Sequence, residues 1–287
     1  MKTSKTPIIF CHFGFCSYLQ YSLKQAKRSN PNCRIILLTD EAQPDIPDGI
    51  DVYDVYDYFK GAAEFAVHYE HMNTNPFHFE LACFQRWFVI KDFCETQGIE
   101  KFFYCDSDVM LYVDIEEAEE HFENCAFTVT SNISWGITFN TTSILKFFCS
   151  VCNGIYSGRD RINNFKLQAH FQVLQENNLP GGVCDMTIVE LFRKEPLTPP
   201  GLVGEMSAIV KEEITDTESC FVDWKYSTFD HNINQHEGYS MKDGIKEVTW
   251  KNGLPYCYNI FLDKEVLMCC LHFQGGAKLR MEEFCNE

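Results

Sequence analysis

Two kinds of hydrophobic pattern alternate along the first half of the chain. Pro7-Ile8-Ile9-Phe10-Cys11 and Arg34-Ile35-Ile36-Leu37-Leu38-Thr39-Asp40 are short continuous apolar runs, as expected of strands buried on both faces. Between them Tyr18, Leu19, Leu23 and Ala26 recur at helical spacing, which predicts a helix from Ser17 to Arg28. Asp51 to Val55 predicts a third strand, Phe77 to Thr96 a long helix, and Lys101 to Tyr104 a further strand. Strands alternating with helices imply an α/β fold, with a mixed, mostly parallel sheet covered by helices. Ligands of such sheets gather at the carboxyl ends of the strands. Asp40, Asp106 and Asp108 fall at those ends.

The pattern is less regular further on. Glu116 to Phe122 reads as a short acidic helix, Ala126 to Thr130 and Gly136 to Phe139 as strands. Phe165 to Glu176 and Thr187 to Arg193 read as helices. From Asp216 to Tyr258 the chain reads as loop-rich and aromatic. Lys251-Asn252-Gly253-Leu254 is a hairpin signal. A last strand, Val266 to Leu271, leads into His272. No repeat or convincing linker interrupts this, so a single domain over residues 1–287 is expected. Its two halves would be 1–130 and 131–287.

Composition narrows the partners. The net charge is -17, from 24 basic and 41 acidic residues among 287. That argues against nucleic acid or an anionic membrane as a bulk partner. No apolar run is long enough for a spanning helix, and the first residues do not read as a signal peptide. Fifteen cysteines without an export signal fit reduced thiols in a cytoplasmic protein. Cys149-Ser150-Val151-Cys152 lies in an apolar run and is expected to be a pair of core thiols rather than a zinc or redox motif.

The candidate chemistry centres on Tyr104-Cys105-Asp106-Ser107-Asp108-Val109. Two carboxylates interrupt an apolar stretch, where charge is costly unless paired or bound to a metal. If the extended geometry continues through Ser107, Asp106 and Asp108 point the same way and can share one hard divalent cation. Leu271-His272-Phe273-Gln274-Gly275-Gly276-Ala277-Lys278 adds an imidazole suited to manganese, two glycines that allow close approach, and a lysine for a phosphate. Phe79, Cys83, Arg86, Ile90 and Phe93 form one helical row, so Arg86 lies on an apolar face and needs an anionic or carbonyl partner. That partner is a site carboxylate, a substrate oxygen or a structural ion pair. Asp185 either caps the helix that follows or, if Thr187 and Glu190 form a capping box, is left to face a substrate. No phosphate-binding GxxxxGK loop, GxGxxG, GxSxG elbow or HExxH is present.

Together these motifs resemble the nucleotide-sugar-dependent glycosyltransferases of the GT-A fold. The chain is most similar to the retaining family containing glycogenin and the lipopolysaccharide galactosyltransferases. Asp106-Ser107-Asp108 matches that family's DxD motif, and His272, Gly275 and Lys278 match its late HxxGxxK motif. The resemblance implies Mn2+ or Mg2+ held by Asp106, Asp108 and His272, with a nucleoside-diphosphate sugar (a UDP-sugar in that family) as donor. It makes Lys278 a diphosphate contact, Arg86 a donor contact and Asp185 a grip on the donor sugar. Cys11, His12, Phe13, Asp40 and Ser107 fall where the family holds the nucleotide. Leu279-Arg280 stand where the family has Pro-Trp, Ser134-Trp135-Gly136 where it has Asn-x-Gly, and Asp185-Met186-Thr187 where it has DQD.

The implied reaction moves a sugar to a glycan or other hydroxyl acceptor, with retention in that family. An inverting enzyme would need a carboxylate base, for which Asp185, Asp223 and Asp230 stand available. The aromatic stretch from Trp224 to Trp250 would suit stacking against acceptor sugars. Two other readings remain. One is a phosphohydrolase of the haloacid dehalogenase type, with Asp106 as nucleophile. The other is a sugar-nucleotide-binding module without catalysis.

Overall fold

A computed structural model describes residues 6–43, 45–119, 127–128, 137–194 and 232–285. The chain divides into two compact units interleaved in sequence. The first joins the chain up to Val52 with Phe103–Phe139 and the closing segment, and the second joins Tyr53–Phe102 with the segment from Asn140. The elements, in chain order, are β1 (Ile8–His12), α1 (Leu19–Ser29), β2 (Ile35–Thr39), β3 (Ile50–Asp54), α2 (Lys60–Ala66), α3 (Phe77–Gln97), β4 (Lys101–Cys105), β5 (Val109–Leu111), α4 (Ile115–Glu119), β6 (Ile137–Thr141), α5 (Thr142–Tyr156), α6 (Arg161–Glu176) and α7 (Asp185–Lys194). Six short strands follow: β7 (Met241–Lys242), β8 (Ile245–Lys246), β9 (Val248–Lys251), β10 (Leu254–Asn259), β11 (Lys264–Leu267) and β12 (Cys270–His272). A 3-10 helix, Gly275–Phe284, comes last.

The fold is mixed α/β, with a mostly parallel central sheet flanked by helices, as the strand–helix alternation predicts. Its order is β3-β2-β1-β4-β6, and β1 runs parallel to both β2 and β4. Strand order reverses at β1, and ligands of such sheets bind beyond the carboxyl ends of the strands at that point, here β1 and β4. On one face of the sheet Ile8, Phe10, Ile35, Leu37, Phe103 and Cys105 pack with Leu19, Leu23 and Ala26 of α1. Each side chain of this size contributes about 1.5–3 kcal/mol when fully buried. Ile9, Ile36 and Leu38 alternate with them and are equally buried, which explains the continuous apolar runs.

A second core of the first unit forms around Met110, Tyr112, Ile233, Tyr239, Leu271 and Phe273. The segment from Asn232 to Tyr258, read from sequence as loop-rich apart from the hairpin around Asn252-Gly253, also holds the short strands β7 and β8. The hairpin turn between β9 and β10 forms as predicted, with Asn252 and Gly253 both at positive φ. The single strand predicted over Val266–Leu271 is two. β11 pairs with β10 as far as Leu267, after which β12 pairs antiparallel with β5. The chain changes partner there, and hydrophobic periodicity carries no trace of such a change.

In the second unit, α3 packs on α2 and α5, and residues on several of its sides, Phe84, Trp87, Phe88, Ile90 and Phe93, are buried. The single row predicted for α3 is therefore incomplete, and its first member, Phe79, is exposed. A helix covered on more than one side cannot be described by one stripe. Cys149 and Cys152 are buried on α5, where burial pushes both thiols well above their ordinary range, as inert core thiols require. No helix among the described residues is long and apolar enough to cross a membrane. Asp223, Asp230 and the aromatic residues from Trp224 to His231 lie outside the described residues, as does most of Ala126–Gly136.

Candidate metal and diphosphate site

Strand β4 delivers Asp106 to the sheet's carboxyl edge, and β5 starts at Val109. The residues between them do not continue extended, so the condition under which two strand positions would point the same way is not met. Val109 N donates to Asp106 O at 3.1 Å, closing a turn. Convergence of the two carboxylates comes from this turn. His272 arrives on β12, paired with Val109 across the antiparallel ladder. Phe273 N then donates to Asp108 O at 2.9 Å. This register sets the imidazole beside Asp108, with His272 Nε2 3.3 Å from Asp108 Oδ1. One ligand atom from each of Asp106, Asp108 and His272 lies within 4.8 Å of the others.

Lys278 completes the cluster, its ammonium 2.9 Å from Asp108 Oδ2. Gly275 takes a positive φ of 56° as the chain enters the 3-10 helix that carries this lysine, a conformation glycine adopts freely. A side chain at Gly275 or Gly276 would meet open space, so both leave room beside the cluster. Burial alone would raise the Asp108 carboxyl. The hydrogen bond and charge of His272, then Lys278, outweigh it and hold the group well below the usual carboxylate range. Burial likewise opposes the Lys278 charge, but Asp108 prevails and keeps the ammonium protonated.

Several residues around this cluster gave no signal in sequence. The Tyr104 hydroxyl donates to Asp106 Oδ1 at 2.6 Å. Tyr18 lies under Lys278, 5.1 Å from ammonium to ring centroid. Ser22 Oγ donates to Ser107 O at 2.6 Å, fixing the turn from α1. Each of these is a common residue at an unremarkable spacing, and only tertiary placement gives it a role.

The expected nucleotide-side residues gather at neighbouring strand ends. Cys11 is buried within β1, His12 ends that strand and Phe13 follows it. His12 Nδ1 lies 2.9 Å from Ser107 Oγ. Burial first, then the Lys278 ammonium, pushes the His12 imidazole below its ordinary value. Asp40 follows β2, and its Oδ1 accepts from Gly14 N at 2.7 Å. Gln43, which the sequence did not single out, donates to Gly14 O at 2.7 Å and accepts from Cys16 N at 3.2 Å. Asp40 and Gln43 thus hold the loop that leaves β1.

Arg86 and Asp185 both belong to the second unit, where they meet. Arg86 Nη2 lies 2.7 Å from Asp185 Oδ2, and Trp87 Nε1 donates to the same oxygen at 2.8 Å. Asp185 Oδ1 accepts from Met186 N at 3.0 Å. The helix α7 starts at Asp185, ahead of the start that a Thr187–Glu190 capping box would give; Thr187 stands inside its first turn, and its hydroxyl accepts from Cys184 N at 3.2 Å. Close by, Glu80 is 2 % exposed. Asn75 Nδ2 donates to its Oε1 at 2.7 Å, while Oε2 is buried without a hydrogen bond among the described residues. Burial, with a further push from Asp185, raises the Glu80 carboxyl above its usual range.

The donor set of the first unit, two carboxylate groups and one imidazole nitrogen, suits a hard or borderline divalent cation. Lys278 beside it offers charge to an anion bridging to that cation. No family model matches the chain, and no curated protein matches it in sequence. Among solved structures it is similar to mouse xyloside xylosyltransferase 1, with 9% identity, 72% of this chain and 94% of that one covered, and a TM-score of 0.43. It is also similar to the glycosyltransferase GlyE of Streptococcus pneumoniae TIGR4, with 16% identity, 66% and 44% covered, and a TM-score of 0.37. Likeness of this extent carries no weight for function, which has to be read from the residues.

Proposed function

We propose that this protein is a metal-dependent glycosyltransferase moving a sugar from a nucleoside-diphosphate sugar, a UDP-sugar in the first instance, to a hydroxyl acceptor such as a glycan. One observation carries the reading: Asp106, Asp108 and His272 converge within 4.8 Å beside Lys278. They do so at the end of a parallel sheet where its strand order reverses. Two carboxylates and an imidazole, with a lysine beside them, form a donor set suited to a divalent cation.

Asp106, Asp108 and His272 would hold Mn2+ or Mg2+. When bound, the cation supplies the positive charge that stabilises a departing nucleoside diphosphate. Lys278 adds a fixed charge for the same oxygens, most valuable as the glycosidic bond stretches toward an oxocarbenium-like state. Tyr104 orients Asp106 through its hydroxyl, and Ser22 steadies the turn that carries both carboxylates. His12, with Asp40 and Gln43 behind the loop at Gly14, offers a wall for the nucleoside. The proposal assigns no step to the Arg86–Asp185 pair, whose charges already satisfy one another. Retention is the stereochemical course we assign, from the motifs alone, and the anomeric configuration of the product reads it directly.

The phosphohydrolase alternative uses Asp106 as a nucleophile but gives no reason for His272 to stand on the same cluster. A donor screen by thermal unfolding, with Mn2+ present, separates the readings, since a ligand that binds the native state raises its apparent stability. A shift with one or more sugar nucleotides, followed by release of the nucleoside diphosphate in the presence of acceptor, is the expected result. If no sugar nucleotide shifts the transition and none is turned over with either metal, the proposal is wrong.

A further inference from the structure

The first unit contains a second cation, built into the chain. Lys246 is wholly buried, a position where an ammonium persists only with partners for its three donors. It has them. Its Nζ donates to the main-chain oxygens of Asn232 and Gln235, the latter at 2.6 Å, and to Glu237 Oε2 at 2.8 Å. The Tyr239 ring lies 5.6 Å away. All three oxygens come from one short loop, wrapped around the ammonium much as a calcium loop wraps its ion. Glu237 and Gly238 turn the loop with positive φ angles of 41° and 83°.

The same loop touches the metal ligand's strand. Asn232 bridges to His272 in parallel, and Ile233 N donates to His272 O at 2.8 Å. Lys246 N in turn donates to Ile233 O at 2.7 Å. The backbone of His272 is therefore gripped from two sides, by Val109 of β5 and by residues 232 and 233. The first grip is a regular ladder, whereas the second exists only while the loop keeps its shape.

We propose that Lys246 is a positioning residue for His272: its buried ammonium orders the 232–237 loop, and the loop fixes the imidazole for metal binding. This rests on the metal reading given above. The test uses Mn2+ itself as the probe. Free Mn2+ is measured by electron paramagnetic resonance, and amide hydrogen exchange is followed at Ile233. Lys246→Met should weaken Mn2+ binding roughly tenfold or more, as loss of an outer-shell support does at other metal sites, and should deprotect the Ile233 amide. Glu237→Gln keeps the shape of the acceptor and removes its charge. It should change both readouts in the same direction by less, and it carries the test if Lys246→Met fails to fold. A folded Lys246→Met protein that binds Mn2+ within about twofold of wild type overturns the inference, because outer-shell supports act through affinity. So does unchanged Mn2+ affinity in Glu237→Gln when only that variant folds. If wild type takes up no Mn2+, the metal reading itself has failed, a different result from a wild type that binds and a variant that binds equally well.

Discussion

The two units each place a buried aspartate against a cation, and the two arrangements differ in what they leave unfinished. In the second unit, Asp185 Oδ2 takes Arg86 and Trp87 together and Oδ1 takes a backbone amide. One negative group meets one permanent positive group in a fixed frame. In the first, Asp108 faces a titratable imidazole and a half-buried lysine, with a second carboxylate, Asp106, in the same cluster. An ion pair that closes on itself contributes architecture. A cluster with more anionic groups than fixed cations invites a ligand. Burial of an aspartate says little until its counter-charges are counted.

That contrast can be broken most directly at Asp108. Asp108→Ala should lower turnover of a sugar nucleotide by about 10³-fold or more, comparable to losing a principal electrostatic stabiliser, with an unchanged circular dichroism spectrum. Chelation of metal from the wild type should produce the same loss, restored by Mn2+. Turnover by Asp108→Ala at the wild-type rate would erase the distinction between the two aspartates.

Next in size is Arg86→Met. Removing one partner of a buried pair leaves an uncompensated charge, so stability should fall by about 3–5 kcal/mol in urea unfolding. The affinity of the remaining folded protein for Mn2+ should not change. Lys278→Met sits between the two types. It should weaken nucleoside-diphosphate binding by about 1.5–3 kcal/mol, the worth of one hydrogen bond to a charged group, measured by isothermal titration with Mn2+ present.

The smallest effect belongs to Glu80. Its folded-state pKa is raised, so the stability tied to its proton is present below the ordinary glutamate pKa and is lost as pH rises through the folded value. Wild type should therefore lose stability on going from acid toward neutral pH at this site. Glu80→Gln should remove that slope and be more stable at neutral pH by on the order of 1 kcal/mol, the scale of one buried polar group. A variant with the wild-type pH slope would show that Glu80 is ionised in the fold.

Much of this was legible in the sequence, for identifiable reasons. The strands β1, β2 and β4 are buried on both faces and so read as unbroken apolar runs. The Asp106–Asp108 pair stood out because charge interrupts such a run. What could not be read depends on partners distant in sequence. The change of sheet between Leu267 and Cys270 and the pairing of β5 with β12 are both long-range choices. Lys246 escaped notice because a lysine at the end of a two-residue strand is ordinarily a surface residue. Asp185 could be read as a cap or as a substrate contact because Arg86 and Trp87, which it meets, lie on α3, remote along the chain.

The pairing of Val109 with His272 has a consequence in time. These residues lie more than half the chain apart, and contacts of such separation are slow to form. While the chain emerges from the ribosome, Asp106 and Asp108 are complete long before their imidazole and lysine exist. Acquisition of metal affinity should therefore lag the folding of the parallel sheet. Mn2+ uptake during refolding would then report the docking of the closing segment on β5.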